Sequence, residues 1–307
     1  MSAHSGVAGW LAVPGPGTVW HARVRAVFAR SVHAWGDGRC LTLGDASLPA
    51  HPHSILWPGF PGDWAMGQAV AVTSEGVFGP RGRLVSLRSL KRFAPPPACR
   101  PLAATGRIAA ALAACQARAA AMPARGGFHD VFLGCLGRLS PACVEASQGL
   151  PGALAGRGRR LVLALARPLR LRDWDGLAGA GRALAGLGIG LTPAGDDVLA
   201  GILASLHYHG ACLAQPLLPQ ARLTALAGDW AGHTTAFSGF LLRGAASGQV
   251  AAPVGDWLAA VHAGDATTAL RRLGQLESLG HSSGLDTFAG LLLSLQILMG
   301  ERAWIEA

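Results

Sequence analysis

Lysine is almost missing from this sequence: Lys91 is the single lysine among 26 basic residues. Acids are few as well, 17 Asp and Glu, which leaves a formal net charge of +9. A basic chain invites a nucleic-acid reading, but a bias so one-sided toward arginine reflects coding composition rather than a binding surface. The two arginine clusters, residues 81–92 and 157–172, are neither interleaved with aromatics nor set on a recognition motif, so no nucleic-acid partner is expected. Charged residues make up only 14% and apolar ones 50%, which excludes a disordered chain. No apolar run approaches the roughly 18 residues of a membrane span, so no membrane partner is expected. The six cysteines form no C-x-x-C pair and no zinc spacing, and read as reduced, buried small hydrophobes. His207 and His209, one residue apart on a helical stretch, splay away from each other and make a poor chelator; His51 and His53 share the spacing. Residues 1–20 lack the basic start and apolar core of a secretion signal, and a cytoplasmic location is expected.

What the chain does have is one motif written twice. The first copy is Gly186-Leu-Gly-Ile-Gly-Leu-Thr-Pro-Ala-Gly-Asp-Asp-Val-Leu-Ala-Gly201, and the second is Gly280-His-Ser-Ser-Gly-Leu-Asp-Thr-Phe-Ala-Gly290. Aligned on Asp197 and Asp286, Gly195 pairs with Gly284 and Leu206 with Leu295. Each copy is a glycine loop bearing hydroxyls that runs into an apolar helix. Glycines such as Gly188 and Gly190 let the backbone bend sharply and expose its amides. The first amides of a helix have no internal partner and sit at the positive end of its dipole, a combination that suits phosphate or carboxylate. A small anionic substrate is therefore expected at Gly188, Gly190, Thr192, Gly195, Ser282, Ser283 and Gly284. Thr192-Pro193 or Asp196 is expected to start the first helix.

The adjacent Asp196 and Asp197 pull against an anion. They fit if one caps the helix and the other holds a cation or a substrate N–H; magnesium, which takes one or two carboxylates plus substrate oxygens, is the candidate cation, with the cofactor otherwise unknown. Asp197 recurs as Asp286, which marks that pair for chemistry rather than capping. A third segment, His233-Thr-Thr-Ala-Phe-Ser238, lies between the two loops in the chain and adds Thr234 and Thr235 as candidate substrate contacts; hydroxyls in such positions also cap helices or bond back to carbonyls. His281 is a candidate general acid or base, or a donor that orders its loop.

Composition changes character at Lys91-Arg-Phe-Ala-Pro-Pro-Pro97. Before it, short β-type runs (residues 18–27, 31–35, 40–43, 55–57, 68–73 and 84–87) alternate with turns such as Gly36-Asp-Gly38. After it, helical periodicity dominates, with residues 161–165 ambiguous between strand and helix and residues 126–156 loop-like or a broken helix. The fold class is α+β: a small N-terminal antiparallel sheet or partial barrel over residues 1–95, then a mainly α-helical domain over residues 96–307 carrying two Gly-loop/helix units.

Together the first glycine motif, the His233-Thr-Thr segment and Gly280-His-x-Ser-Gly-x-Asp286 resemble a bacterial family known as the AllH subunit of oxamate carbamoyltransferase, whose members sit in purine and allantoin degradation clusters. The resemblance covers residues 180–295 strongly and the N-terminal region only in general character. Ile189 stands where the family often has Pro, and Ala194 where it often has Ser, which removes a hydroxyl beside the proposed anion site. The resemblance implies a complex with AllF-type and AllG-type partner subunits that interconverts oxalurate plus phosphate with oxamate plus carbamoyl phosphate. Catalysis is then expected from positioning and from N–H donors aimed at a developing oxyanion, with Asp197, Asp286 and His281 as the catalytic candidates. Two other classes stay open from the residues alone. One is a non-catalytic subunit that binds a nucleotide, acyl-CoA or carboxylate; the other is a Mg-dependent hydrolase or phosphotransferase built on Asp196, Asp197 and Asp286.

Overall fold

The computed structural model describes residues 6–94, 101–122, 127–128, 152–213 and 216–300. The triple proline, and residues 129–151 of the loop-like stretch, lie outside them. The chain divides into two compact units, residues 1–95 and 96–307.

The first unit is a nine-stranded sheet: β1 Val7–Gly9, β2 Trp20–Phe28, β3 Ser31–Gly36, β4 Arg39–Asp45, β5 Ser54–Trp57, β6 Ala69–Val72, β7 Gly76–Gly79, β8 Gly82–Ser86 and β9 Lys91–Phe93, in the order β8-β7-β6-β2-β3-β4-β5-β1-β9. Strand alternation sets its inner face. On β2, Ala22 and Val24 are buried while Arg23 and Arg25 are exposed, and Val32, Ala34, Leu41, Leu43, Ile55, Val70, Val72 and Val77 complete the core. Asp37 and Gly38 both take positive φ (49° and 68°), the two-residue turn geometry that matches strand twist, and close the β3–β4 hairpin. The sheet is not wholly antiparallel as the turn spacing implied. β5 runs parallel to β4, and β1 runs parallel to β9. For β4 and β5 the physical reason is the connection through Pro49 and Pro52, which carries the chain back alongside Thr42 instead of folding it into a hairpin.

The second unit holds nine helices among the described residues: α1 Thr105–Ala120, α2 Gly152–Leu171, α3 Trp174–Leu184, α4 Ala194–Ala211, α5 Gln220–Ala231, α6 Ala236–Ala245, α7 Ala252–His262, α8 Ala266–Glu277 and α9 Ser283–Leu298. The ambiguous residues 161–165 belong to α2. Most of these helices bury one stripe, but α4 and α9 are buried nearly all round, which their continuous apolar sequence requires. These two are the helices that follow the glycine loops, and they pack on each other. A Cβ on Gly201 would lie 2.2 Å from the Thr287 carbonyl oxygen, and one on Gly290 would lie 2.0 Å from that of Val198. Gly201 and Gly290 are aligned positions of the two copies, so the copies cross where neither has a side chain.

That crossing gives a direct test. Gly201→Ala and Gly290→Ala force the helices apart, and each is expected to cost roughly 1–3 kcal/mol in denaturant unfolding. Gly274→Ala, on α8 with nothing within 4 Å of the added Cβ, is expected to be neutral or stabilising by up to about 1 kcal/mol. Equal behaviour of the three variants would contradict the close crossing.

Candidate functional site

The two motif copies build the same corner. In the first, α3 leads through the loop into α4; in the second, α8 leads through the loop into α9. Gly195 N donates to the Leu187 carbonyl at 2.9 Å, and its counterpart Gly284 N donates to the Leu279 carbonyl at 3.0 Å. A Cβ on Gly195 would fall 2.2 Å from the Leu184 carbonyl oxygen, and one on Gly284 1.8 Å from that of Leu276. These two glycines therefore let the preceding helix end press against the new one. Helix α4 begins at Ala194 with Pro193 as its cap, so its start falls at Thr192-Pro193 and not at Asp196. Helix α9 begins at Ser283, at the same place relative to its aspartate.

The loops meet. Thr192 Oγ1 of the first lies 3.1 Å from Ser283 Oγ of the second. The third segment joins them through two ties. Asp196 Oδ1 accepts from Gly186 N at 2.8 Å, while Oδ2 accepts a short hydrogen bond from the Thr234 hydroxyl. Thr235 Oγ1 donates to the Leu191 carbonyl at 3.1 Å and accepts from Ser238 N, which caps α6. Three segments far apart in sequence thus converge on one place. Asp196 has a structural post there, which the adjacent-aspartate pattern left open. Its partners Gly186 and Thr234 carried no sequence signal for this pairing, because nothing in spacing brings residue 234 to residue 196.

Asp197 is different. It is 8% exposed and Asp286 is fully buried. Burial first, and then the charges of Asp286 and Asp196, hold the Asp197 carboxyl well above the usual carboxylate range, against the lowering effect of hydrogen bonds from Ser283 and Thr192. Its Oδ2 is buried with no hydrogen-bond partner among the described residues. A carboxyl in this state keeps its proton where an ordinary one has lost it, and can deliver it to a reacting group.

The remaining candidates fall around this centre. Gly188 and Gly190 take positive φ (134° and 100°) in the exposed tip of the first loop, and the amides of residues 188–192 donate to no acceptor among the described residues. His281 is exposed in the second loop, and Ser282 caps α9 without a side-chain bond. No group of three His, Cys, Asp or Glu side chains among the described residues is arranged to hold a metal ion. His209 and His262, both buried, face each other at 5.5 Å between ring centroids, outside this centre. Two clefts of the helical unit also lie away from the loops. One, of about 420 Å³, is lined by Trp174, Arg182, Arg222 and Asp229; the other, of about 600 Å³, by Arg160, Leu163, Arg167 and Leu171. Hydroxyls, open amides and the raised Asp197 carboxyl coincide at the loops, whereas the first cleft spends its arginines on Asp229 and Asp175.

The converging segments all lie inside one matched stretch. Residues 184–295 match the family model of the oxamate carbamoyltransferase subunit AllH. The AllH match begins at the last residue of α3 and runs to Leu295 on α9, so it contains both loops, the third segment and both aspartates. It leaves out the N-terminal sheet. No solved structure matches the chain. Among the described residues no helix is long and apolar enough to cross a membrane.

The raised carboxyl predicts how stability varies with pH. The folded state binds the Asp197 proton more tightly than the unfolded chain. That contribution is therefore complete below the ordinary value of 3.8 and is lost as pH rises toward the raised one. Asp197→Asn removes it. In urea unfolding from about pH 4 to pH 8, the variant is expected to gain on the wild type with rising pH, at no more than about 1.4 kcal/mol per pH unit. A constant difference across the range would show that Asp197 titrates as an ordinary acid.

Proposed function

We propose that the chain is a subunit of an oxamate carbamoyltransferase-like enzyme in purine or allantoin degradation, and that its two glycine loops form one site for the carboxylate and phosphate groups of the substrates. The observation that carries this reading is the Thr192–Ser283 contact, which brings both loops to Asp197 within the stretch that matches AllH. Open amides at residues 188–192 supply donors for an anion, and the N-terminal ends of α4 and α9 add positive dipole ends. The dipoles contribute modestly, roughly 0.3–1 kcal/mol each at an exposed site, so the amides and hydroxyls carry most of the recognition.

Asp197 has a defined task in this reading. When phosphate attacks the ureido carbonyl of oxalurate, the bond to the oxamate nitrogen breaks, and an amide nitrogen leaves poorly as an anion. Asp197 gives that nitrogen its proton; in the reverse direction its carboxylate takes the proton as the nitrogen attacks carbamoyl phosphate. Donors of the loops stabilise the oxyanion formed between the two steps. Asp286 keeps the Asp197 proton in place by its charge. His281, exposed at the rim, orders the second loop or meets a substrate oxygen. AllF-type and AllG-type subunits are the partners this assignment calls for, and the cytoplasm the compartment.

Asp196 weighs against the metal-dependent hydrolase or phosphotransferase reading, because both its oxygens already hold Gly186 and Thr234. Titration calorimetry of the full chain with carbamoyl phosphate, oxamate and phosphate, with and without magnesium, tests the assignment. Saturable binding is expected, reduced at least about tenfold in Asp197→Asn and Asp286→Asn, a loss of about 1.4 kcal/mol. Binding that ignores both substitutions would remove the loops as the site, and binding that requires magnesium would favour the metal-dependent reading.

A further inference from the structure

The two corners differ in one respect that the fold does not need. Leu187 and Leu279 hold equivalent places, since each accepts from the glycine that opens the next helix. Counting back from that helix, Leu191 corresponds to Gly280, so residues 188–190 are an addition without a counterpart in the second corner. The second corner turns the chain from α8 into α9 without them.

The addition is pinned at both ends and loose between. Leu187 N donates to the Leu184 carbonyl at 3.1 Å, and at the far end the Leu191 carbonyl accepts from Thr235 Oγ1. Gly188 passes so close to the start of α4 that a Cβ there would meet Ala194 N at 2.5 Å. Between the pins, Gly188 and Gly190 have backbone angles that other residues rarely adopt, and Gly190 has nothing within 4 Å of an added Cβ. Ile189 stands between them 96% exposed, the most exposed large hydrophobic side chain among the described residues. A branched apolar side chain held in water by two glycines gains nothing for this conformation. It gains on being covered.

We propose that residues 188–190 are a lid: they swing on Gly188 and Gly190 so that Ile189 closes over the anion held between the two loops and shuts water away from Asp197. The lid rests on the reading of the loops as the substrate site. Its occupant is that bound anion and its carbon skeleton, because the tip is anchored beside Thr192 and the start of α4. Closure serves the transfer directly. Carbamoyl groups are open to attack by water, and a dry site strengthens each hydrogen bond to the developing oxyanion.

The test uses the full chain, its Ile189→Ser variant and a deletion variant in which Leu187 is joined directly to Leu191. Carbamoyl phosphate is the probe, with oxamate and inorganic phosphate as separate arms. Its dissociation rate is measured together with hydrogen exchange at the amides of residues 188–191. Ligand is expected to slow that exchange about tenfold or more. Ile189→Ser is expected to speed dissociation about tenfold, the scale on which burying such a side chain favours the closed form. The deletion variant, which also removes the amides of residues 188–190, is expected to keep the wild-type melting curve and to release ligand faster still than Ile189→Ser. Suppose instead that ligand binds, Asp197→Asn weakens binding at least about tenfold, and Ile189→Ser releases the ligand at the wild-type rate with exchange unchanged. The site then stands and the lid is wrong; a pull-down of partner subunits lost in Ile189→Ser would assign the tip to a subunit interface instead. Failure of all three ligands to bind the full chain would overturn the site and the lid together.

Discussion

The helical unit depends on the crossing of α4 and α9 at Gly201 and Gly290. With a Cβ of one only about 2 Å from a carbonyl of the other, no other residue fits at either position without moving a helix. That contact sets where the N-terminal ends of both helices lie, and therefore where both loops lie. Asp197 and Asp286 sit one turn before the crossing glycines, on the same helix face. Closing the helices on each other buries the acids together and lets the charge of one raise the proton affinity of the other. The Thr192–Ser283 bond follows from the same geometry. Packing and chemistry are one constraint here, because the residues that permit the close approach also bring the carboxyls into a low-dielectric place.

The two copies have diverged around that shared frame. The first carries Asp196, which ties Gly186 and Thr234 to the corner; the second has Leu285 in the aligned place, buried in the core. The first also carries the added tip with Ile189, and the second carries the hydroxyls of Ser282 and Ser283. In the proposed site one corner provides open amides and the lid, and the other provides side-chain donors. A site assembled from two unlike halves presents different groups to the two ends of an asymmetric substrate, which two identical loops would not do.

Much of this was legible in the sequence, for definable reasons. A repeated loop and helix with aligned glycines and aspartates is a local pattern, so the helices, their apolar character and the pairing of Asp197 with Asp286 could be read directly. So could the alternating strands of the first unit and the Asp37-Gly38 turn. The post held by Asp196 could not, since its partners lie 10 and 38 residues away and no periodicity points to them. The parallel pairings of β4 with β5 and of β1 with β9 were hidden for the same reason: strand direction depends on where a loop delivers the chain, which composition does not state. Gly195 and Gly284 were visible as glycines, but the close packing they permit was not. Their small size serves the helix corner, where each meets a carbonyl of the preceding helix.

The most direct measurement is an NMR titration of the full chain with carbamoyl phosphate, following backbone amides of both loops at once. A single site predicts that residues 187–192 and 280–284 shift together and fit one dissociation constant. Shifts confined to one loop, or two loops with different constants, would contradict the account.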